Sequence, residues 1–300
     1  MSNRAIIGLV IGLVVLVVGS FALAFISLIG KAKSLLPTTF AAPTGHVVYK
    51  FKMAGIRQYE ARYDVLTAVT GEPQRTFEMQ TMLTFMPLQV HNGAANLSYE
   101  RVQSYRDRDQ FQTPQTDLHQ MTMSPYGVTK EWTIHGGATG ASAGQTEKMD
   151  PKLLFFDLEI PALIFPERVL KPNDHWTSNG TTKLYYRHTV LNGSYDLRFR
   201  LLDAGKGKDN ACRRIESHFT FDCPKQSTDA GAMSLRETGS ATFTFNVAAG
   251  ELTAIDGVTI TRNIAGERNG KPRNICTTMK GSVKDNSKEN PLSPASASPG

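Results

Sequence analysis

Cysteine is scarce. Three residues in 300, an odd number, exclude a framework of paired disulfides. Cys212 and Cys276 fall on polar strand faces and Cys223 on an apolar one, which leaves two readings: a single Cys212–Cys276 bridge, or three free thiols. The histidines, His46, His91, His119, His135, His175, His188 and His218, include no pair four residues apart, and no CxxC occurs. Neither helical nor knuckle-type zinc spacing is present, and no metal or other cofactor is expected. No Walker loop and no G-x-G-x-x-G after a strand is found, which removes the common phosphate cradles. The excess of positive charge, +6 with a pI near 9.2, belongs to the two ends. Between residues 34 and 261 basic and acidic residues balance at 23 and 24, so no nucleic-acid partner is expected.

Charge is absent altogether from residues 5–30, AIIGLVIGLVVLVVGSFALAFISLIG. As a helix this run reaches about 39 Å, more than the ~30 Å hydrocarbon core of a bilayer. Lipid demands that its amides be satisfied internally, so one N-terminal transmembrane helix is predicted, with the membrane as partner through residues 5–30. Ala22-Leu23-Ala24 offers a small-x-small cleavage site, but the apolar run continues past it through Ile29. A retained anchor is therefore favoured over a cleaved signal. The four-residue head and large following body favour a single-pass chain with its body outside the cytoplasmic membrane, periplasmic or extracellular.

What the sequence has in quantity is alternation. HVVYKFKMA, QYEARYDVL, RTFEMQTMLTFMPLQV and ANLSYERVQSY precede residue 110, and KLYYRHTVL, YDLRFRLLDA, CRRIESHFTFDC, SATFTFNVA and LTAIDGVTITRN follow residue 180. In YDLRFRLL, Leu197, Phe199 and Leu201 share one face and Arg198 and Arg200 the other. One wet face implies antiparallel pairing. TMLTFMPLQVHNGAANLSYERV and YDLRFRLLDAGKGKDNACRRIESHF share the order strand, glycine turn, strand, and so do MTMSPYGVTKEWTI and FTFNVAAGELTAIDGVTI. The expected fold is mainly β: antiparallel curved sheets from a duplicated β-meander, preceded by one transmembrane helix. The domain reading is an anchor or signal segment over 1–30, a linker over 31–45 and a first β repeat over 46–149. A Pro-rich crossover follows over 150–178, with a short helix over 152–160, then a second repeat over 179–283 and a disordered tail over 284–300.

Gly140-Ala141-Ser142-Ala143-Gly144 matches G-x-S-x-G, but a nucleophile elbow needs a strand entering the serine and a helix leaving it. Ser142 lies in a Gly/Ala/Ser loop instead. Carboxylates such as Glu100, Glu216 and Asp222 read as a solvated sheet face. The run Arg262, Arg268, Lys271, Arg273, Lys280, Lys284 and Lys288 reads as a solvated edge, where lysine also discourages aggregation. Sequons at Asn96, Asn179 and Asn192 matter only in a eukaryotic secretory pathway. Asp174 and Trp176 are read as structural: Pro172, Asn173 and Asp174 form a turn that sets the entry of the second repeat, and Trp176 buries its ring beside it.

That turn carries a resemblance. FPERVLKPNDHW, residues 165–176, is similar to the P-x-x-x-V-x-x-G-D-x-W connection of bacterial envelope proteins in the DUF6263-like group, often exported or lipid-anchored. LLDAG at 201–205 and FNVAAGEL at 245–252 follow in the same order, and the likeness spans about 46–265. Asn173 stands where glycine is usual, a change that a positive φ tolerates. The lipid-bearing cysteine is replaced by the hydrophobic segment. The resemblance implies an extracytoplasmic location and a β fold and supplies no catalytic residue. The functional expectation is a membrane-tethered, non-catalytic β protein that binds an apolar ligand or an envelope protein, or acts as a scaffold. The alternative is an envelope hydrolase whose site is assembled from separated strands.

Overall fold

The computed structural model describes residues 44–53, 55–107, 110–111, 115–135, 146–149, 161–186, 189–204, 211–228, 231–268 and 271–287. The predicted anchor over 5–30, the helix over 152–160, Ser142 and residues 288–300 of the tail lie outside them. Among the described residues no helix is long and apolar enough to cross a membrane.

The first half forms β1 (Arg57–Val69), β2 (Arg75–His91), β3 (Ala94–Asp107), β4 (Gln110–Phe111), β5 (Gln115–Met123), β6 (Thr129–His135) and β7 (Thr146–Met149). The second forms β8 (His175–Tyr186), β9 (Thr189–Ala204), β10 (Cys212–Thr228), β11 (Gly231–Asn246), β12 (Glu251–Arg268) and β13 (Lys271–Asp285). All pairings are antiparallel, in the order β7-β6-β5-β3-β2-β1-β13-β12-β11-β10-β9-β8, with β4 hanging on β3. Each half is thus a meander. Where curved sheets were the expectation, one continuous 13-stranded sheet is found. The reason is the pairing of the first strand with the last, running from Tyr59↔Asp285 to Val69↔Ile275.

Local chemistry explains the hairpins. His91 pairs with Ala94 around Asn92 (φ 48°) and Gly93 (φ 75°), the two positive-φ positions of a type I′ turn. Register shifts at Pro87/Gln89, Ser240/Thr242 and Ile255/Val258 insert extra residues that coil the strands. Pro87 sits at such a shift and beyond the last β1 partner of β2, Phe85, so its missing N–H costs no ladder bond there.

Alternation decides which face is enclosed. Ala61, Leu83, Tyr99, Leu197, Ile215, Phe243, Ile255 and Val283, from eight strands, are all buried on the same face. Arg198, Arg200, Asp222 and Lys280 point to the other, wet face. The basic run is therefore corrected in one respect. β12 and β13 are interior strands, not an edge, and Arg262 points inward with Ile260 and Ile264. HVVYKFKMA is corrected too: residues 47–52 join no strand, and His46 makes only an isolated bridge to Val169.

Candidate functional site

Two segments that belong to no strand close one end of the sheet. Apart from His46 and Lys50, residues 46–51 and 161–165 are apolar or aromatic, and Val47, Val48, Ala162, Leu163, Ile164 and Phe165 are buried. Their backbone groups are satisfied by the hairpin turns of that end. Tyr49 N–H donates to Pro125 O (2.7 Å), Lys50 N–H to Gly250 O (3.0 Å) and Phe165 N–H to Tyr126 O (2.8 Å). Gly127, at φ 86°, is required for close approach, because a Cβ there would run into the carbonyl of Leu163. The rings of Tyr49, Phe165 and Phe245 meet edge-on or tilted at centroid distances of 4.8–5.6 Å, which locks the two segments onto β11.

Behind this closure lies a cavity of about 140 Å³. Its apolar lining includes Tyr49, Phe51 and Leu163 from the two closing segments and Phe85, Met121 and Met123 from the sheet. Methionine thioethers are soft and adapt to irregular shapes. The Tyr49 and Tyr59 hydroxyls donate to Leu163 O (3.3 Å) and Leu252 O (3.1 Å). Burial holds both phenols well above their ordinary pKa; the neighbouring Tyr59 adds to the effect on Tyr49, and Asp285 to that on Tyr59. The interior is therefore neutral. Charge among the lining residues is confined to Lys50, Lys52, Arg57 and Glu251; the two lysines are exposed to solvent, and Arg57 and Glu251 are ion-paired with each other.

Trp176 does not line the cavity but fixes its wall. Its indole N–H donates to Ile164 O at 2.7 Å, one residue from Leu163, and its ring stacks on Phe199 at 5.2 Å. Asp174 sits in the preceding turn, where Asn173 has φ 66°. Asp174 Oδ2 accepts from Lys171 N–H (2.9 Å) and Arg168 Nη1 (2.6 Å), and these bonds, the backbone one foremost, hold its carboxyl below the usual range. Asn173 N–H to Leu201 O and Leu201 N–H to Asp174 O then tie the turn to β9.

Polar groups also occupy the enclosed face. Glu237 and Arg262 pair there, and Ser217 is fully buried with no hydrogen-bond partner for its Oγ. His119 is buried with its ring flat against Tyr99, centroids 4.5 Å apart. Of the carboxylates named from sequence, Glu100, Glu216 and Asp222 lie on the outer face of separate positions, and His218 faces Glu216 at 3.8 Å on that wet side. Among the described residues no three His, Cys, Asp or Glu side chains gather as a metal would require. All three cysteines are free. Cys212 opens β10 opposite Asn246, whose β12 partner is Glu251, whereas Cys276 on β13 pairs with Asn263 near the other end of β12, so two whole strands and about 40 Å along the strand direction separate the thiols, far beyond disulfide reach.

The cavity residues were not singled out from sequence. Their only signal was local: aromatic and methionine residues at inward positions near strand ends, plus two apolar segments outside the meanders. No family model matches the chain, and no curated protein matches it. Among solved structures, a triple mutant of the Rhodopseudomonas blastica porin overlaps 77% of this chain and 99% of its own at 10% identity and a TM-score of 0.22. At that score the likeness carries no argument about topology or function.

Proposed function

We propose that this chain is a membrane-tethered, extracytoplasmic, non-catalytic protein whose duplicated β-meander holds a small apolar ligand in the cavity beneath residues 46–51 and 161–165. The observation that carries the reading is the neutral cavity of about 140 Å³ lined by aromatic and methionine side chains. Its size is close to that of a ~150 Å³ apolar cavity known to stay dry and take up benzene. Tethering rests on the uncharged run over 5–30, and kinship with the DUF6263-like envelope group rests on residues 165–176.

The test uses the full chain in nanodiscs of zwitterionic lipid, with empty nanodiscs as the blank. Toluene and indole are expected to bind saturably and to perturb the methyl signals of Met121 and Met123. Met123→Trp, whose indole takes up much of the cavity, is expected to weaken both effects strongly. Absence of saturable binding, or binding undiminished in the filled variant, would reject the site. Protease added to spheroplasts addresses the tether. It should degrade the body and leave a small membrane-bound fragment, and protection of the body until detergent is added would reject the orientation.

A further inference from the structure

We infer that the ligand of this cavity is a small monocarboxylate, with an apolar group of about six carbons inside and its carboxylate at Lys50 and Lys52 on the rim; this rests on the cavity being a ligand site. The volume limits the apolar part, since a cavity of about 140 Å³ matches one that holds a benzene ring. The charge at the rim selects the head. Arg57 is already engaged, with Glu251 on one side and Asp285 Oδ2 at 3.3 Å on the other. Lys50 Nζ donates to the carbonyl of Ala248 at 3.0 Å, which leaves two of its three protons for another acceptor. Lys52 is exposed at the same opening. Among the described residues neither lysine has a carboxylate partner. The one acid among the lining residues, Glu251, is held by Arg57, so Lys50 and Lys52 are the cavity's lining charges without a carboxylate partner.

That arrangement repels a cation and gives a neutral alcohol no advantage. A carboxylate gains charge-assisted hydrogen bonds while its apolar group leaves water. A long acyl chain or two-chain lipid exceeds the cavity. The chemistry therefore points to compounds of the arylalkanoate or short fatty-acid class.

The experiment compares 3-phenylpropionate with 3-phenylpropanol, which share ring and chain length and differ in the head. Calorimetric titration uses the full chain in zwitterionic nanodiscs, with empty nanodiscs subtracted. The carboxylate is expected to bind roughly ten-fold more tightly at low salt, with the gap narrowing as salt is raised. In the double variant Lys50→Gln/Lys52→Gln the two compounds are expected to bind equally, at the affinity of the alcohol. Equal binding by the unmodified chain, or a preference that survives in the double variant, would overturn the monocarboxylate assignment and leave the apolar cavity standing. Binding of neither compound would overturn both.

Discussion

Glu237 on β11 and Arg262 on β12 are direct cross-strand partners on the enclosed face, with guanidinium Nε donating to Oε2 at 2.5 Å. The carboxylate side chain is 3% exposed and the guanidinium 15%. Removing one member of a buried pair leaves an uncompensated charge, whereas replacing both by apolar groups is often neutral. Glu237→Gln is expected to cost about 3 kcal/mol, and Glu237→Met with Arg262→Met to restore most of it. Guanidinium unfolding of the purified chain checks this. A double variant no more stable than the single one would show that the pair holds the strands together in its own right.

Trp176 links the closing segment to the sheet, through Ile164 O on one side and Phe199 on the other. Trp176→Ala should cost about 3–5 kcal/mol through lost packing. Trp176→Phe keeps most of the ring contact but orphans the Ile164 carbonyl, at about 1–3 kcal/mol. An unchanged denaturation midpoint for Trp176→Ala would reject the structural role.

Gly239 lies opposite Phe219 across β10 and β11, and the phenyl ring occupies the place a side chain would take. A Cβ at this position meets that ring and the carbonyl of Thr259. Gly239→Ala should destabilise by about 3 kcal/mol, the upper end of overpacking, although alanine has the better strand propensity in isolation. Unfolding midpoints of the two proteins decide the matter.

Ser217 presents the opposite case, a buried hydroxyl with no partner between Phe199 and Ala241. Ser217→Ala removes an unsatisfied group and should stabilise by about 1 kcal/mol. A lowered midpoint would mean that the hydroxyl has an acceptor in solution.

Asp174 predicts a pH dependence. Its carboxyl is held below its ordinary 3.8, first by the Lys171 amide and then by Arg168. For a depressed acid the stabilisation is fully present above the unfolded pKa and is lost as pH falls through the lower, folded value. The stability difference between the wild type and Asp174→Asn should therefore be constant at neutral and mildly acidic pH and close only below 3.8. Urea titrations across that range test it, and a difference that closes near neutrality would exclude Asp174 as its source.

Strand content and the inward face of most strands were legible in the alternation of residues alone. Period-2 alternation assigns a side chain to a face whatever the strand's neighbours, so Leu197, Phe199 and Leu201 were legible as inward and Arg198 and Arg200 as outward. Asn92-Gly93 marked its hairpin because few residue pairs accept two positive φ angles. The same parity placed Arg262 between Ile260 and Ile264, a signal overridden by reading the basic residues as a run. The joining of β1 to β13, the departure of HVVYKF from the sheet and the cavity beside it follow from long-range packing that the pattern does not carry. Ladder hydrogen bonds are made by backbone groups that every residue carries, so the sequence does not encode which remote strands meet. A cavity is what remains when segments far apart in the chain fail to fill the space between them, and Tyr49, Phe51, Met121, Met123, Pro161 and Leu163 acquire that shared boundary only in the folded chain.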